Sequence, residues 1–111
     1  MLNKRTEFAL NEQELAEFNK AVSHPARISI LSILAAQNGC MCGDIVGQLP
    51  LAQSTVSQHL RSLKEAGLIK GQIDGQKTNY CLNLDNIQKF RREINTWFDQ
   101  IENACEEKDC C

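Results

Sequence analysis

The sequence predicts a mainly α-helical domain with one small β-hairpin, and three stretches carry that prediction. Residues 26–37, ARISILSILAAQ, are apolar around most of a helical cylinder, the mark of a buried central helix. Residues 51–68, LAQSTVSQHLRSLKEAGL, form a short amphipathic helix. Val56, Leu60 and Leu63 recur at i, i+4 and i+7 on one side, with Ser54, Gln58 and Arg61 opposite and Thr55 and Ser57 on the flanks. Residues 68–84, LIKGQIDGQKTNYCLNL, alternate in twos around Asp74-Gly75, a strong tight-turn signal.

The 111 residues make one domain, placed at 1–104 with a flexible cysteine-containing tail at 105–111. The net charge of −2 argues against a generic polyanion binder, but the charge is unevenly spread. Residues 51–80 carry Arg61, Lys64, Lys70 and Lys77 against Glu65 and Asp74, whereas residues 81–111 carry more acids than bases. No apolar run approaches the roughly 18–20 residues of a membrane span, and residues 1–15 lack the apolar stretch of a signal peptide. A cytoplasmic protein without membrane contact is expected. There the six cysteines stay reduced and serve metals or redox chemistry.

Along the chain, residues 11–22 form a first helix with Asn11 at the N-cap and Glu14 three residues on, a variant capping box, and with Leu15, Phe18 and Val22 as its stripe. Pro25 suits the first turn of the second helix, which stops before Asn38-Gly39. His24 beside that proline reads as structural rather than as a ligand. Arg27 is open between a solvated charge and a phosphate contact.

A third helix is expected over 42–49, closed by Pro50, and a tight turn then leads to the 51–68 helix. Two helices joined in this way, the second with a polar outer face, make a helix-turn-helix. Ala52 is a poor cap, so Ser54 from inside the first turn or a DNA phosphate must meet the first N–H groups. His59 lies on the flank of the apolar stripe and is assigned to holding the helix against the domain or to a phosphate, with base reading third.

The hairpin that follows is a wing. Cys81, on its second strand, reads as a small packed residue. The last helix begins at Asp85 with Gln88 in the capping-box position. Ile87, Phe90, Ile94, Trp97, Phe98, Ile101 and Cys105 give it more apolar surface than a peripheral helix needs, so it is read as a dimer seam beside the first helix.

The order helix, helix, helix-turn-helix, wing, helix, together with SHPARISILSIL, CMCGDIV, QSTVSQHLRSLKEAGLI and IDGQKTNYCL, resembles the ArsR/SmtB metalloregulators over essentially the whole chain. The resemblance implies a winged helix-turn-helix repressor, homodimeric through its first and last helices. Such a protein binds palindromic double-stranded operator DNA and leaves it when a metal or metalloid binds. The Cys-x-Cys-x-Asp segment is similar to that of the arsenic- and soft-metal-sensing branch. Two departures stand out. The last helix has no histidine for the zinc and cobalt site of the family, and Ile45 replaces a third cysteine found in some arsenic sensors.

In this scheme Ser54, Ser57, Gln58 and Arg61 read base edges, with Gln53 as a further DNA contact, while Thr55, Lys64, Lys70 and Lys77 hold phosphates. Cys40 and Cys42, at or just before the expected third helix, gain thiolate character from its N-terminus and are the metal ligands. As(III) or Sb(III) as inducer needs three thiolates, so Cys110, Cys111 or Cys105 is a candidate third ligand, and Cd, Pb, copper(I) and Zn are alternative ions. The competing reading is a thiol redox or persulfide-responsive repressor with a disulfide from Cys40 or Cys42 to Cys105. An enzyme is not expected, since the chain has neither a C-x-x-C nor a nucleophile paired with a base, and no organic cofactor is implied.

Overall fold

The computed structural model describes residues 7–42, 46–74 and 77–105, except for the side chains of residues 42, 46, 72–74, 77 and 78. In order, these form α1 (Leu10–Ala21), α2 (Pro25–Ala36), β1 (Cys40–Cys42), a single 3-10 turn (Val46–Gln48), α3 (Gln53–Glu65), β2 (Ile69–Asp74), β3 (Lys77–Leu82) and α4 (Leu84–Cys105). The architecture is the expected winged helix-turn-helix: mainly α, with a small antiparallel sheet of order β1-β3-β2. One element differs. Of the helix expected over 42–49, residue 42 ends β1, because Cys40, Met41 and Cys42 pair with Cys81, Tyr80 and Asn79 of β3, and residues 46–48 form the 3-10 turn, while residues 43–45 lie outside the described residues. The described residues therefore hold four α-helices rather than five, and three strands rather than two.

The core is built around α2. Ile30 and Leu34 meet Val56 and Leu63 of α3 in one cluster, all four with 0% exposure, and Leu68 and Ile69 carry that cluster into the wing. Burying an aliphatic side chain of this size contributes about 1.5–3 kcal/mol, so the cluster outweighs any single polar contact in the domain. The α2 helix starts as its sequence dictates: Pro25 takes the first turn, and His24 Nδ1 accepts the Ala26 N–H at 3.0 Å. It stops where Asn38 adopts φ +60°, with the Gly39 N–H bonded to the Leu34 carbonyl at 2.8 Å.

The outer helices start elsewhere than expected. In α1 the N-cap is Ala9, not Asn11, and the Glu12 carboxylate accepts the Ala9 N–H at 3.2 Å. Glu14 instead pairs with Lys89 of α4 at 3.3 Å. The cap of α4 is set by Asn83 rather than Asp85, since Asn83 Oδ1 accepts the Asn86 N–H at 3.4 Å and its carbonyl accepts the Ile87 N–H at 3.0 Å.

The α1–α4 joint is fixed by the stacked Phe18 and Phe90 rings, 5.1 Å apart. Burial, and then the neighbouring Glu14 carboxylate, raise the Glu93 carboxyl above its ordinary range in the same joint. Farther along α4, Trp97, Phe98 and Ile101 remain 44–47% exposed, and Phe8 and Leu10 on the α1 side are exposed as well. The radius of gyration, 17.2 Å, exceeds the roughly 13 Å of a compact chain of this length, as a protruding 22-residue α4 requires.

The junction from α3 to the wing depends on Gly67. Its φ is +80°, its N–H bonds the Lys64 carbonyl at 3.0 Å, and the Leu68 N–H bonds the Leu63 carbonyl at 3.0 Å, which together make a Schellman stop. Asn86 of α4 also donates from Nδ2 to the Gly67 carbonyl at 2.9 Å, and a Cβ on Gly67 would lie 2.7 Å from that nitrogen. Gly39 shares the positive φ but has open space around it. Gly67→Ala should therefore cost about 1–3 kcal/mol in urea unfolding, more than Gly39→Ala, because strain and a displaced Asn86 add together. Equal costs would show that the Asn86 contact is immaterial.

Candidate functional site

The α3 helix divides cleanly in cross-section. Val56, His59, Leu60 and Leu63 are buried, whereas Gln53, Ser54, Ser57, Gln58, Arg61 and Lys64 are exposed and Thr55 is half-buried. Its N-cap, Ala52, makes no side-chain hydrogen bond. The first N–H groups of α3 thus lack a side-chain cap, a place where anions are favoured. Lys70 is exposed on β2, and Lys77 is on β3 opposite Asp74 with its side chain outside the described set.

Two side chains with open roles turn inward. Arg27 Nε donates to His59 Nδ1 at 3.1 Å, and its terminal nitrogen reaches the Lys20 and Ala21 carbonyls at 3.3 Å each, so Arg27 ties α1, α2 and α3 together. His59 is 8% exposed and its ring lies 4.4 Å from that of His24. It holds α3 against the domain, as its flank position implied. His24 caps α2 and has a structural role.

The thiols fall differently from expectation. Among the described residues Cys40 and Cys42 belong to a strand rather than to a helix start. Cys81, read as a packed residue, is instead disulfide-bonded to Cys40, with the two Cα atoms 4.0 Å apart and 41 residues between them in sequence. The Leu82 N–H bonds the Gly39 carbonyl at 2.7 Å, which makes Cys40 and Cys81 a non-hydrogen-bonded antiparallel pair, the register in which facing side chains come closest. Cys105 is a free, exposed thiol at the end of α4, and Cys110 and Cys111 lie outside the described residues. Among the described side chains, no three ligating groups converge on one point.

A buried-backed helix with a polar outer face, preceded by a turn and followed by a two-stranded wing, defines a winged-helix DNA-binding regulator. Comparison with known proteins narrows the class. The family model described as "Bacterial regulatory protein, arsR family" matches residues 24–70. The chain is 33% identical over 90 residues to the arsenical resistance operon repressor of Staphylococcus xylosus, covering 78% of this chain and 86% of that one. It is also 33% identical over 82 residues to a transcriptional repressor SmtB homolog of Synechocystis, covering 74% of this chain but only 61% of that relative.

Among solved structures, HlyU from Vibrio cholerae aligns with a TM-score of 0.60 and 29% identity, over 68% of this chain and 80% of that chain. An ArsR family transcriptional regulator aligns with a TM-score of 0.73 at 16% identity, over 91% and 99% of the respective chains, a likeness of fold. The chain belongs to the ArsR family of helix-turn-helix transcriptional regulators, a family of DNA-binding proteins and not of enzymes. No helix among the described residues is long and apolar enough to cross a membrane.

The Arg27–His59 contact has a pH signature. Burial first, then the neighbouring His24 and Arg27, lower the His59 pKa below the ordinary 6.5. The stability of the neutral ring is therefore present above pH 6.5 and is lost as pH falls through the lower folded value. Melting temperature should drop as pH falls below 6.5, and His59→Gln, which keeps an acceptor for Arg27 but does not titrate, should flatten that drop. An equal drop in the variant would place the titrating group elsewhere.

Proposed function

We propose that this protein is a cytoplasmic, metal(loid)-responsive repressor that binds a palindromic operator as a homodimer and is released when a thiophilic ion binds its cysteines. The observation that carries the reading is the division of α3, whose Val56–Leu63 side is shut in the core while Ser54, Ser57, Gln58 and Arg61 face outward. In a dimer joined through α1 and α4, two such helices spaced about 34 Å apart enter successive major grooves. Ser54, Ser57, Gln58 and Arg61 read base edges, with Gln53 beside them. Thr55, Lys64, Lys70 and Lys77 hold backbone phosphates. The exposed Trp97, Phe98 and Ile101 support the seam, since the described residues leave this end of the stripe uncovered.

Cys40 and Cys42 are the ligands proposed to sense the ion, with As(III) or Sb(III) as inducer and Cd, Pb or Zn as alternatives. Two thiolates are short of the three that trivalent arsenic takes. The tail at 105–111 offers Cys105, Cys110 and Cys111 as further thiols. Release follows if ion binding rearranges β1, because the α2–β1 segment feeds the turn into α3. A coupling of about 2–3 kcal/mol would weaken operator affinity roughly 30- to 150-fold. A thiol redox repressor is the second reading, favoured by one observation: Cys40 is bonded to Cys81, not to Cys105.

The soft-ion reading is tested on operator DNA by fluorescence anisotropy in a phosphine-reduced buffer, where wild type should be released by arsenite and a purely redox repressor should not. The Cys40→Ser, Cys42→Ser double variant should keep its DNA affinity but should no longer be released by arsenite. Release of that variant at wild-type arsenite concentrations would remove Cys40 and Cys42 from the sensor.

A further inference from the structure

We propose that Cys81 is a third sulfur ligand of the metal(loid) site, which with Cys40 and Cys42 closes a three-thiol face across β1 and β3. The inference rests on the soft-ion reading of Cys40 and Cys42, and it replaces the tail cysteines as the source of the missing ligand. Its basis is the sheet. Cys81 stands directly opposite Cys40 in the non-hydrogen-bonded register, with Cα atoms 4.0 Å apart and the sulfurs within bonding reach. Two sulfurs that can bond each other can also bind one ion, because metal–sulfur bonds near 2.3 Å let the sulfurs move apart rather than together. Cys42 occupies the next-but-one position of β1, opposite Asn79, and a strand returns to the same face every second residue. Cys40 is exposed and Cys81 is half-buried, so an ion can approach from solvent.

Preorganisation decides between Cys81 and the tail. A ligand from residues 105–111 is far from β1 in sequence and closes a long loop at a cost in entropy, whereas the β1–β3 ladder already sets Cys81 in place. A ligand on β3 also changes the route of the signal. β3 is paired along its whole length with β2, and β2 leaves α3 through Gly67, so an ion drawn onto Cys40, Cys42 and Cys81 acts on the wing and on the recognition helix through one sheet.

The chemistry balances without an electron-transfer step at arsenic. Opening the Cys40–Cys81 bond takes two electrons and two protons, which a phosphine supplies with water as it becomes the phosphine oxide. Arsenous acid then exchanges its three hydroxyls for three thiolates. Each thiol proton leaves with one hydroxyl as water, and arsenic stays trivalent. The oxidised pair has no free Cys40 thiol, so the disulfide and the loaded site exclude each other.

The test is native mass spectrometry of the full chain, phosphine-reduced and titrated with sodium arsenite. It compares wild type with Cys81→Ser, Cys81→Ala, Cys42→Ser, Cys105→Ser and the Cys110→Ser, Cys111→Ser pair, and circular dichroism verifies the fold of each. The wild type should gain one arsenic less three hydrogens. Both Cys81 variants should lose that species or need at least about tenfold more arsenite, a loss of roughly 1.4 kcal/mol, while the Cys105 and tail variants should keep it. If Cys81 variants load like wild type while Cys42→Ser does not, the assignment of Cys81 is overturned and the soft-ion reading stands. If the reduced wild type takes up no arsenic, the soft-ion reading falls and this inference with it.

Discussion

Ile30 and Leu34 on α2 and Val56 and Leu63 on α3 are entirely closed off from solvent, and the orientation of α3 and the starting point of the wing follow from that contact. A short helix with a single apolar stripe has one favourable way to lie. Once the stripe is buried, Ser54, Ser57, Gln58 and Arg61 are forced outward, and the Arg27–His59 bond sets the rotation of α3 about its axis. The same core continues through Leu68 and Ile69, so the wing starts from a fixed point. Gly67 supplies the sharp exit that lets helix and wing share that core.

The sheet is the second fixed frame. It joins the strand after α2 that carries Cys40 and Cys42 to the two consecutive strands of the wing, with 41 positions of sequence between Cys40 and its partner Cys81. The thiols and the wing thereby belong to one hydrogen-bonded unit. Chemistry at Cys40 is felt at β3 directly, without passing through the hydrophobic core. A regulator built this way can keep its core intact in both states and change only how the sheet and α3 are disposed, at a cost far below that of unfolding.

Much of this was legible in the residues. The α2 and α3 helices and the two wing strands announce themselves through sustained periodicity and firm stops at Asn38-Gly39 and Gly67, and the structure reproduces each with small shifts at the ends, while the Asp74-Gly75 turn between the strands runs outside the described residues. The failures have a common cause. Three residues of strand, Cys40–Cys42, are too short for a period, and their identity as β1 comes from a partner strand about forty positions away, which no local pattern reveals. Cys81 looked like packing for the same reason: only the register shows that it faces Cys40. The missed caps, Ala9 with Glu12 and Asn83 in place of Asn11 and Asp85, reflect competition among neighbouring side chains for the same N–H groups, which spacing alone does not decide. Arg27 was undecided because a charge at a helix start points inward only when a buried acceptor, here His59, waits for it.

The central claim is that a thiophilic ion, by binding near β1, controls a DNA-reading face on α3. Its most direct test is the operator affinity of the reduced wild-type protein at fixed ionic strength, measured across parallel titrations of arsenite, antimonite, cadmium and zinc. At least one thiophilic ion should lower the affinity by about 30-fold or more, and magnesium, a hard oxygen-seeking control, should leave it unchanged. An affinity that stays constant with all four ions, on an operator the protein demonstrably binds, would contradict the claim.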